Sequence, residues 1–157
     1  MPSFLRIVKR SLWFEEPWMS AEDVPATALG DVDDCNISVY EVVDDESAER
    51  AAIAYAAGKS KIDDIEYAVF DAAELEPLEI EIQATSGTTP ALAVNDLHRE
   101  LLNMTVRKSS GLAQVIGNKA TFETRFVKEV TSKISESRTI DRNKLKAKVR
   151  SKLLSNN

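Results

Sequence analysis

The spacing of apolar residues changes once along this chain, and that change limits what the chain can fold into. Before residue 85, apolar and polar residues alternate in short runs such as NISVYEVV (36–43), a pattern typical of strands. After residue 91, apolar residues recur every three or four positions, with Val130 and Ile134 as one example, and this spacing indicates helices. The sequence therefore predicts an α+β fold. We expect a mixed sheet of about four strands with one or more helices, followed by a helical C-terminal portion of three to four helices.

The first part of the chain contains one well-punctuated helix between predicted strands. Residues 44–59 (DDESAERAAIAYAAGK) predict this helix, because Asp44 can cap its first amides and Gly58 can end it in the left-handed conformation. The unit from residue 36 to residue 71 is accordingly predicted as a strand–helix–strand crossover. The predicted strands are residues 4–12, 36–43, 65–71 and 78–83.

The second part of the chain follows TSGTTPA (85–91), which is predicted as a linker. One predicted helix beyond it contains Leu97, Leu101 and Met104, and breaks between helices are expected near Gly111 and Gly117 and at residues 135–139. This organisation predicts an acidic α/β domain over residues 1–86. A basic helical region then covers residues 87–157 and can pack as one domain with the first.

Charge is divided unequally between the two parts of the chain. Residues 1–100 carry 7 Lys and Arg against 22 Asp and Glu, a balance of -15. Residues 101–157 carry 13 Lys and Arg against 4 Asp and Glu, a balance of +9, and the two sum to the net charge of -6. Such asymmetry indicates a charged partner. The first part should repel nucleic acid, whereas the second should attract anions.

The last stretch, IDRNKLKAKVRSKLLSNN (140–157), holds six of the basic residues. On a helix, Leu145, Val149 and Leu153 would form one apolar stripe with cations around it, a basic amphipathic pattern suited to docking on protein. The stripe can dock on the acidic part of the same chain, on a second copy or on a different subunit, with charge fixing its register. The predicted partner-binding cations are Lys144, Lys146, Lys148, Arg150 and Lys152.

Two tryptophans, Trp13 and Trp18, lie on either side of Pro17. Tryptophans bury large areas, so one interpretation is that they seal the edge of the core. The other is an exposed patch that binds a partner, where tryptophan is enriched.

Two other functions fit the charge pattern. A regulator could bind nucleic acid through residues 107–126, where the glycine spacing allows a loose helix-turn-helix interpretation, and through the basic tail. No aromatic residue follows Phe126, which argues against single-strand binding. Alternatively, the acidic part could mask a basic partner as an inhibitor. A membrane partner is not expected, since no stretch approaches the roughly 20 apolar residues needed to cross a bilayer.

The sequence offers no constellation for catalysis or metal binding. His98 and Cys35 are the single histidine and the single cysteine, too few for a structural zinc site. The start of a calcium loop at DVDDCN (31–36) lacks the required glycine. We therefore expect no metal, no cofactor and no enzymatic activity. One cysteine and no signal-peptide pattern favour the cytoplasm. The prediction is a non-catalytic cytoplasmic interaction or adaptor protein that forms oligomers or joins an assembly.

Overall fold

The computed structural model describes residues 2–8 and 36–155. These residues form a six-stranded sheet in which every neighbouring pair is antiparallel, so the predicted mixed sheet is wrong. The strand order across the sheet is β4-β5-β2-β1-β3-β6. The strands are β1 (Ser3–Ile7), β2 (Ile37–Val42), β3 (Ile65–Asp71), β4 (Glu81–Ala84), β5 (His98–Leu102) and β6 (Thr121–Arg125).

The described residues also form five α-helices and two 3₁₀ helices. The α-helices are α1 (Asp45–Ala57), α2 (Leu92–Asn95), α3 (Val106–Lys119), α4 (Val127–Glu136) and α5 (Ala147–Ser155). The 3₁₀ helices are Ala72–Leu78 and Arg142–Lys144. The α+β class predicted from the sequence is therefore the class of this fold.

The centre of the sheet is the predicted crossover over residues 36–71. Strands β2 and β3 both pair antiparallel with β1, so they run parallel to each other on either side of it. Helix α1 connects them across one face of the sheet. It begins with a capping box, in which the Ser47 amide donates to the Asp44 carboxylate at 2.7 Å and the Asp44 amide donates to the Ser47 hydroxyl at 3.1 Å. Its C-terminal Gly58 has a φ of -78°, so the predicted left-handed cap is wrong.

Side-chain alternation along the strands builds a core on each face of the sheet. Leu5 and Tyr67 point to the face that α1, α4 and α5 cover, and Phe4 and Phe70 point to the other. Helix α3 and the 3₁₀ helix Ala72–Leu78 cover that second face. The molecule thus has three layers, with the sheet in the middle.

The predicted number of about four strands is wrong, because β5 and β6 arise in the region predicted to be helical. Leu97 packs on the α1 side of the sheet, whereas Leu101 and Met104 pack on the α3 side, so the three do not share one helical face. β5 pairs with β2, and β6 pairs with β3. Without them the outer edges of β2 and β3 would expose backbone groups. Their hydrogen bonding to the sheet outweighs the local helical spacing.

Helix α3 runs through both Gly111 and Gly117, where the sequence predicted breaks. A Cβ atom at Gly111 would lie 2.6 Å from Leu78 Cδ2, at the end of the neighbouring 3₁₀ helix. The glycine thus permits close packing and does not end the helix.

The predicted boundary at residues 86/87 falls between strands of one sheet. β1 to β4 precede it and β5 and β6 follow it, yet β5 lies between β4 and β2. Residues of both parts therefore contribute to the same hydrophobic cores.

Candidate functional site

The C-terminal segment folds back onto the α1 side of the sheet. The Asp141 amide donates to the Pro90 carbonyl at 2.7 Å, and the Asp141 side chain accepts from Asn143 at 2.9 Å, which starts the 3₁₀ helix Arg142–Lys144. Helix α5 then begins at Ala147. The tail is therefore two short helical pieces instead of one helix that contains the whole stripe.

The apolar stripe of this segment is buried in the chain's own core. Leu145, Val149 and Leu153 have exposed fractions of 2%, 0% and 3%. They belong to the same core cluster as Ile53 of α1 and Val130 of α4. Of the docking arrangements that the sequence left open, an intramolecular one occupies the stripe here. A second molecule cannot contact these side chains while α5 stays docked.

The cations that surround the stripe point away from the core. Lys144, Lys146, Lys148 and Arg150 are exposed, and within residues 2–8 and 36–155 no carboxylate lies within 4.0 Å of any of them. Lys152 is half-buried. These five residues are called the cationic surface below.

One acid that interacts with this surface, Asp63, is engaged by other groups. The pKa of Asp63 is lowered chiefly by the Asp64 amide and by Lys61, which lies 3.5 Å away, and Lys152 contributes least. The positive charge of the cationic surface is thus largely uncompensated by the described part of the chain.

Other basic residues of the second part are engaged in holding the fold together. Arg125 pairs with Glu49 at 2.9 Å and with Glu123 at 3.1 Å, and Lys133 pairs with Glu49 at 3.0 Å. Burial raises the pKa of Glu49, but the hydrogen bonds from Lys133 and Arg125 outweigh that effect and leave it below its usual value. This network joins α1, β6 and α4, and both of its cations are paired with carboxylates of the chain itself.

His98 is the first residue of β5 and contacts Thr85, the residue after β4. Its Nδ1 lies 2.6 Å from the Thr85 hydroxyl, its one side-chain hydrogen bond among the described residues, and its ring meets the Tyr40 ring edge-on at 5.4 Å. Burial lowers the pKa of His98, and burial raises the pKa of Tyr40 to about 12. Among the described residues, no carboxylate hydrogen-bonds to the imidazole.

The segment after Thr85, predicted as a linker, is fixed by a buried asparagine. The Thr89 amide donates to Asn95 Oδ1 at 2.8 Å, and Asn95 Nδ2 donates to the Thr89 carbonyl at 2.9 Å. The Gly87 amide donates to the Asn95 carbonyl at 2.9 Å. These bonds order the connection between β4 and β5, which places both strands in the sheet.

The structure bears on the remaining sequence candidates to different degrees. Residues 107–126 form most of α3 and then β6, so they contain no helix-turn-helix. In the described part of the chain, no group of three His, Cys, Asp or Glu side chains is placed to hold a metal ion. No helix within residues 2–8 and 36–155 is both long and apolar enough to cross a bilayer. Trp13, Trp18 and Cys35 lie outside the described residues.

The structure exposes one strand, β4, that the sequence predicted to be half-buried. Residues 78–83 were predicted as a half-buried strand, but Leu78 ends a 3₁₀ helix and the strand begins at Glu81. All four residues of β4 are exposed, because β4 is the last strand of the sheet. Alternation identified a strand, yet its position at the edge depends on β5, which the sequence did not predict.

Comparisons of the chain with protein-family models, with curated proteins and with solved structures gave no match. The function must therefore be argued from the site itself.

Proposed function

We propose that this chain is a non-catalytic interaction protein that binds an acidic surface of a protein partner through its cationic surface. The partner is a different subunit or a second copy of this chain. A cytoplasmic location, favoured by the single cysteine, is part of the proposal.

One observation carries the proposal: the apolar stripe points inward, and the cations point outward with no ion-pair partner among residues 2–8 and 36–155. Burial of Leu145, Val149 and Leu153 fixes the backbone that carries Lys146 and Lys148. The segment itself then loses less conformational entropy on binding than a free tail would. Clustered charges of one sign also steer an oppositely charged partner and raise its association rate.

An acidic protein suits this surface better than nucleic acid does. Leu154 is 72% exposed and lies one helical turn from Arg150, which offers an apolar contact that a phosphate backbone cannot use. Residues 1–100 carry a balance of -15, which opposes the approach of a polyanion as long as a duplex.

The proposal is tested with two double variants of equal net charge. Lys146→Gln with Lys148→Gln neutralises the cationic surface. Lys119→Gln with Lys128→Gln removes two exposed lysines elsewhere and serves as the control. The probes are a short labelled polyglutamate and a labelled random-sequence DNA duplex, each titrated at low and at high salt. Fluorescence anisotropy reports binding, and light scattering reports the mass of the free protein.

We expect polyglutamate to bind the parent at low salt, and the Lys146/Lys148 variant to bind about fivefold more weakly. The control variant should bind like the parent. Equal weakening of binding in both double variants would show that net charge alone matters. The absence of any binding at low salt would refute the proposal. Tighter binding of the duplex than of polyglutamate would replace the acidic protein with nucleic acid. A salt-sensitive dimer that the Lys146/Lys148 variant dissolves would identify a second copy as the partner.

A further inference from the structure

The sheet ends at β4 with an accessible hydrogen-bonding edge. β5 pairs with one side of β4, and no other strand among the described residues pairs with it. All four residues of β4 are exposed, whereas in β6, at the opposite edge, Thr121 alone is exposed. β4 is therefore the more open of the two edges in the described part of the chain.

The register of the β4–β5 pair determines which backbone groups point outward. The Thr85 amide donates to the His98 carbonyl at 3.2 Å, just beyond the end of β4. In an antiparallel ladder, hydrogen-bonded pairs alternate with pairs that are not hydrogen-bonded to each other. Ile82 and Ala84 therefore direct their N–H and C=O groups away from β5. An added strand could pair with these groups, as in other cases of strand addition.

The side chains of this edge define what such a strand should contain. Glu79 and Glu81 are exposed, and no described cation lies within 4.0 Å of either carboxylate. Lys108, the described cation at this end of β4, donates to the Glu79 carbonyl at 3.0 Å. Ile82 is 42% exposed and points to the opposite face from Glu81, because strand residues alternate.

We infer that the open edge of β4 binds an extended segment of a partner protein in which Lys or Arg alternates with apolar residues. A cation of this segment lies beside Glu81 on one face, and an apolar side chain lies beside Ile82 on the other. The cross-strand pairs of a sheet bring such side chains into contact. This site is separate from the cationic surface and has the opposite charge. The chain would therefore bind a basic partner at β4 and an acidic partner at the cationic surface, as an adaptor does.

A second copy of this chain fits the edge poorly. β4 contains one acidic residue and no cation, so pairing of two β4 strands would offer Glu81 no opposite charge from the other copy. The chain's own basic segment, residues 147–155, is helical and cannot supply a strand. The negative charge of Glu79 and Glu81 favours an extended basic segment of another protein as the occupant.

The test uses a short soluble peptide of alternating lysine and valine, titrated into the full chain at low salt. A peptide of the same sequence that carries N-methyl groups on alternate residues keeps the charge but cannot pair with a strand edge. Two protein variants complete the design. Ala84→Pro removes an outward N–H while leaving the β4–β5 hydrogen bonds in place, and Glu81→Lys reverses one edge charge. Glu136→Lys, an equal charge reversal at an exposed position on α4, is the control.

We expect the parent peptide to bind and to protect the Ile82 and Ala84 amides from hydrogen exchange. Ala84→Pro and the N-methylated peptide should each weaken binding at least about fivefold. Glu81→Lys should also weaken it, whereas Glu136→Lys should not. Equal binding of the two peptides would reduce the interaction to charge and overturn the inference, as would no binding at low salt. If Ala84→Pro does not fold, the N-methylated peptide with the parent protein still decides the question. The Lys146/Lys148 variant should bind this peptide normally, so failure of the proposed function is distinguishable.

Discussion

The burial of the C-terminal stripe leads to a prediction with a control built into the adjacent residue. Leu153 is 3% exposed and Leu154 is 72% exposed, although both lie in α5. Replacing either leucine with alanine makes the same chemical change in the same helix. Differences in intrinsic helix propensity therefore nearly cancel, and the comparison isolates burial.

The expected cost of Leu153→Ala follows from the atoms removed. Loss of three buried carbon atoms at about 0.8 kcal/mol each gives about 2.4 kcal/mol, before any cavity is counted. Measured Leu→Ala costs in cores run from about 2 to 5 kcal/mol. Because α5 lies near the end of the described chain and can shift to fill the space, we expect about 2–3 kcal/mol. Leu154→Ala should change the free energy of unfolding by less than about 0.5 kcal/mol.

Urea denaturation followed by tryptophan fluorescence and circular dichroism measures both variants. We expect the midpoint of Leu153→Ala to fall by about 1 M, with an unchanged slope. If both variants unfold like the parent protein, α5 does not contribute to the cooperative fold. Burial of the apolar stripe in the chain's own core would then be refuted. A lower slope for Leu153→Ala would instead indicate that α5 has detached in the native state.

Three further predictions concern the interior. Glu49→Gln should lower the free energy of unfolding by about 1 kcal/mol at pH 7. This is the contribution of a charge-assisted hydrogen bond, reduced because Glu49 is partly exposed. Folding lowers the pKa of Glu49, so the stabilisation from its ionised carboxylate is fully present above the unfolded-state pKa. This stabilisation is lost as the pH falls through the folded-state pKa of Glu49. Urea denaturation from pH 7 to about pH 3 can follow the loss. NMR titration of His98, the chain's single histidine, should give a pKa below about 6.5, because burial disfavours the charged ring. The free energy of unfolding should therefore decline as the pH falls below about 6.5, the pKa of the unfolded chain. An ordinary or raised pKa would mean that the ring is solvated. In Gly87→Ala the new Cβ would lie 3.1 Å from Asn95 Oδ1 and 3.2 Å from Asn95 Cα. We therefore expect the free energy of unfolding, measured by thermal or urea denaturation, to fall by about 1–3 kcal/mol. An unchanged midpoint would show that the turn adapts freely.

The centre of the fold could be predicted from the sequence because its signals are local. NISVYEVV alternates with a period of two, and Asp44 and Ser47 provide a capping box within four residues of chain. β3 was predicted with the bounds that it has in the structure, Ile65–Asp71. At these positions local propensity and tertiary environment agree.

Strands β5 and β6 could not be predicted, because their structure depends on distant partners. β5 reads HRELL and contains no β-branched residue, and the spacing of Leu97, Leu101 and Met104 satisfies a helix equally well. What makes this segment a strand is the open edge of β2 on one side and β4 on the other. Short segments with ambiguous periodicity take the conformation that satisfies the backbone hydrogen bonds of their neighbours.

The C-terminal segment illustrates the same division for a candidate site. The spacing of Leu145, Val149 and Leu153 predicts that one face requires burial, but it does not say which surface covers that face. The cover comes from α1 and α4, whose own packing on the sheet is set by residues far away in sequence. Once the stripe is covered, the role of the segment changes: its apolar side chains anchor it, and its lysines become the accessible feature. A basic amphipathic pattern thus identifies a charged surface more securely than it identifies an apolar contact with a partner.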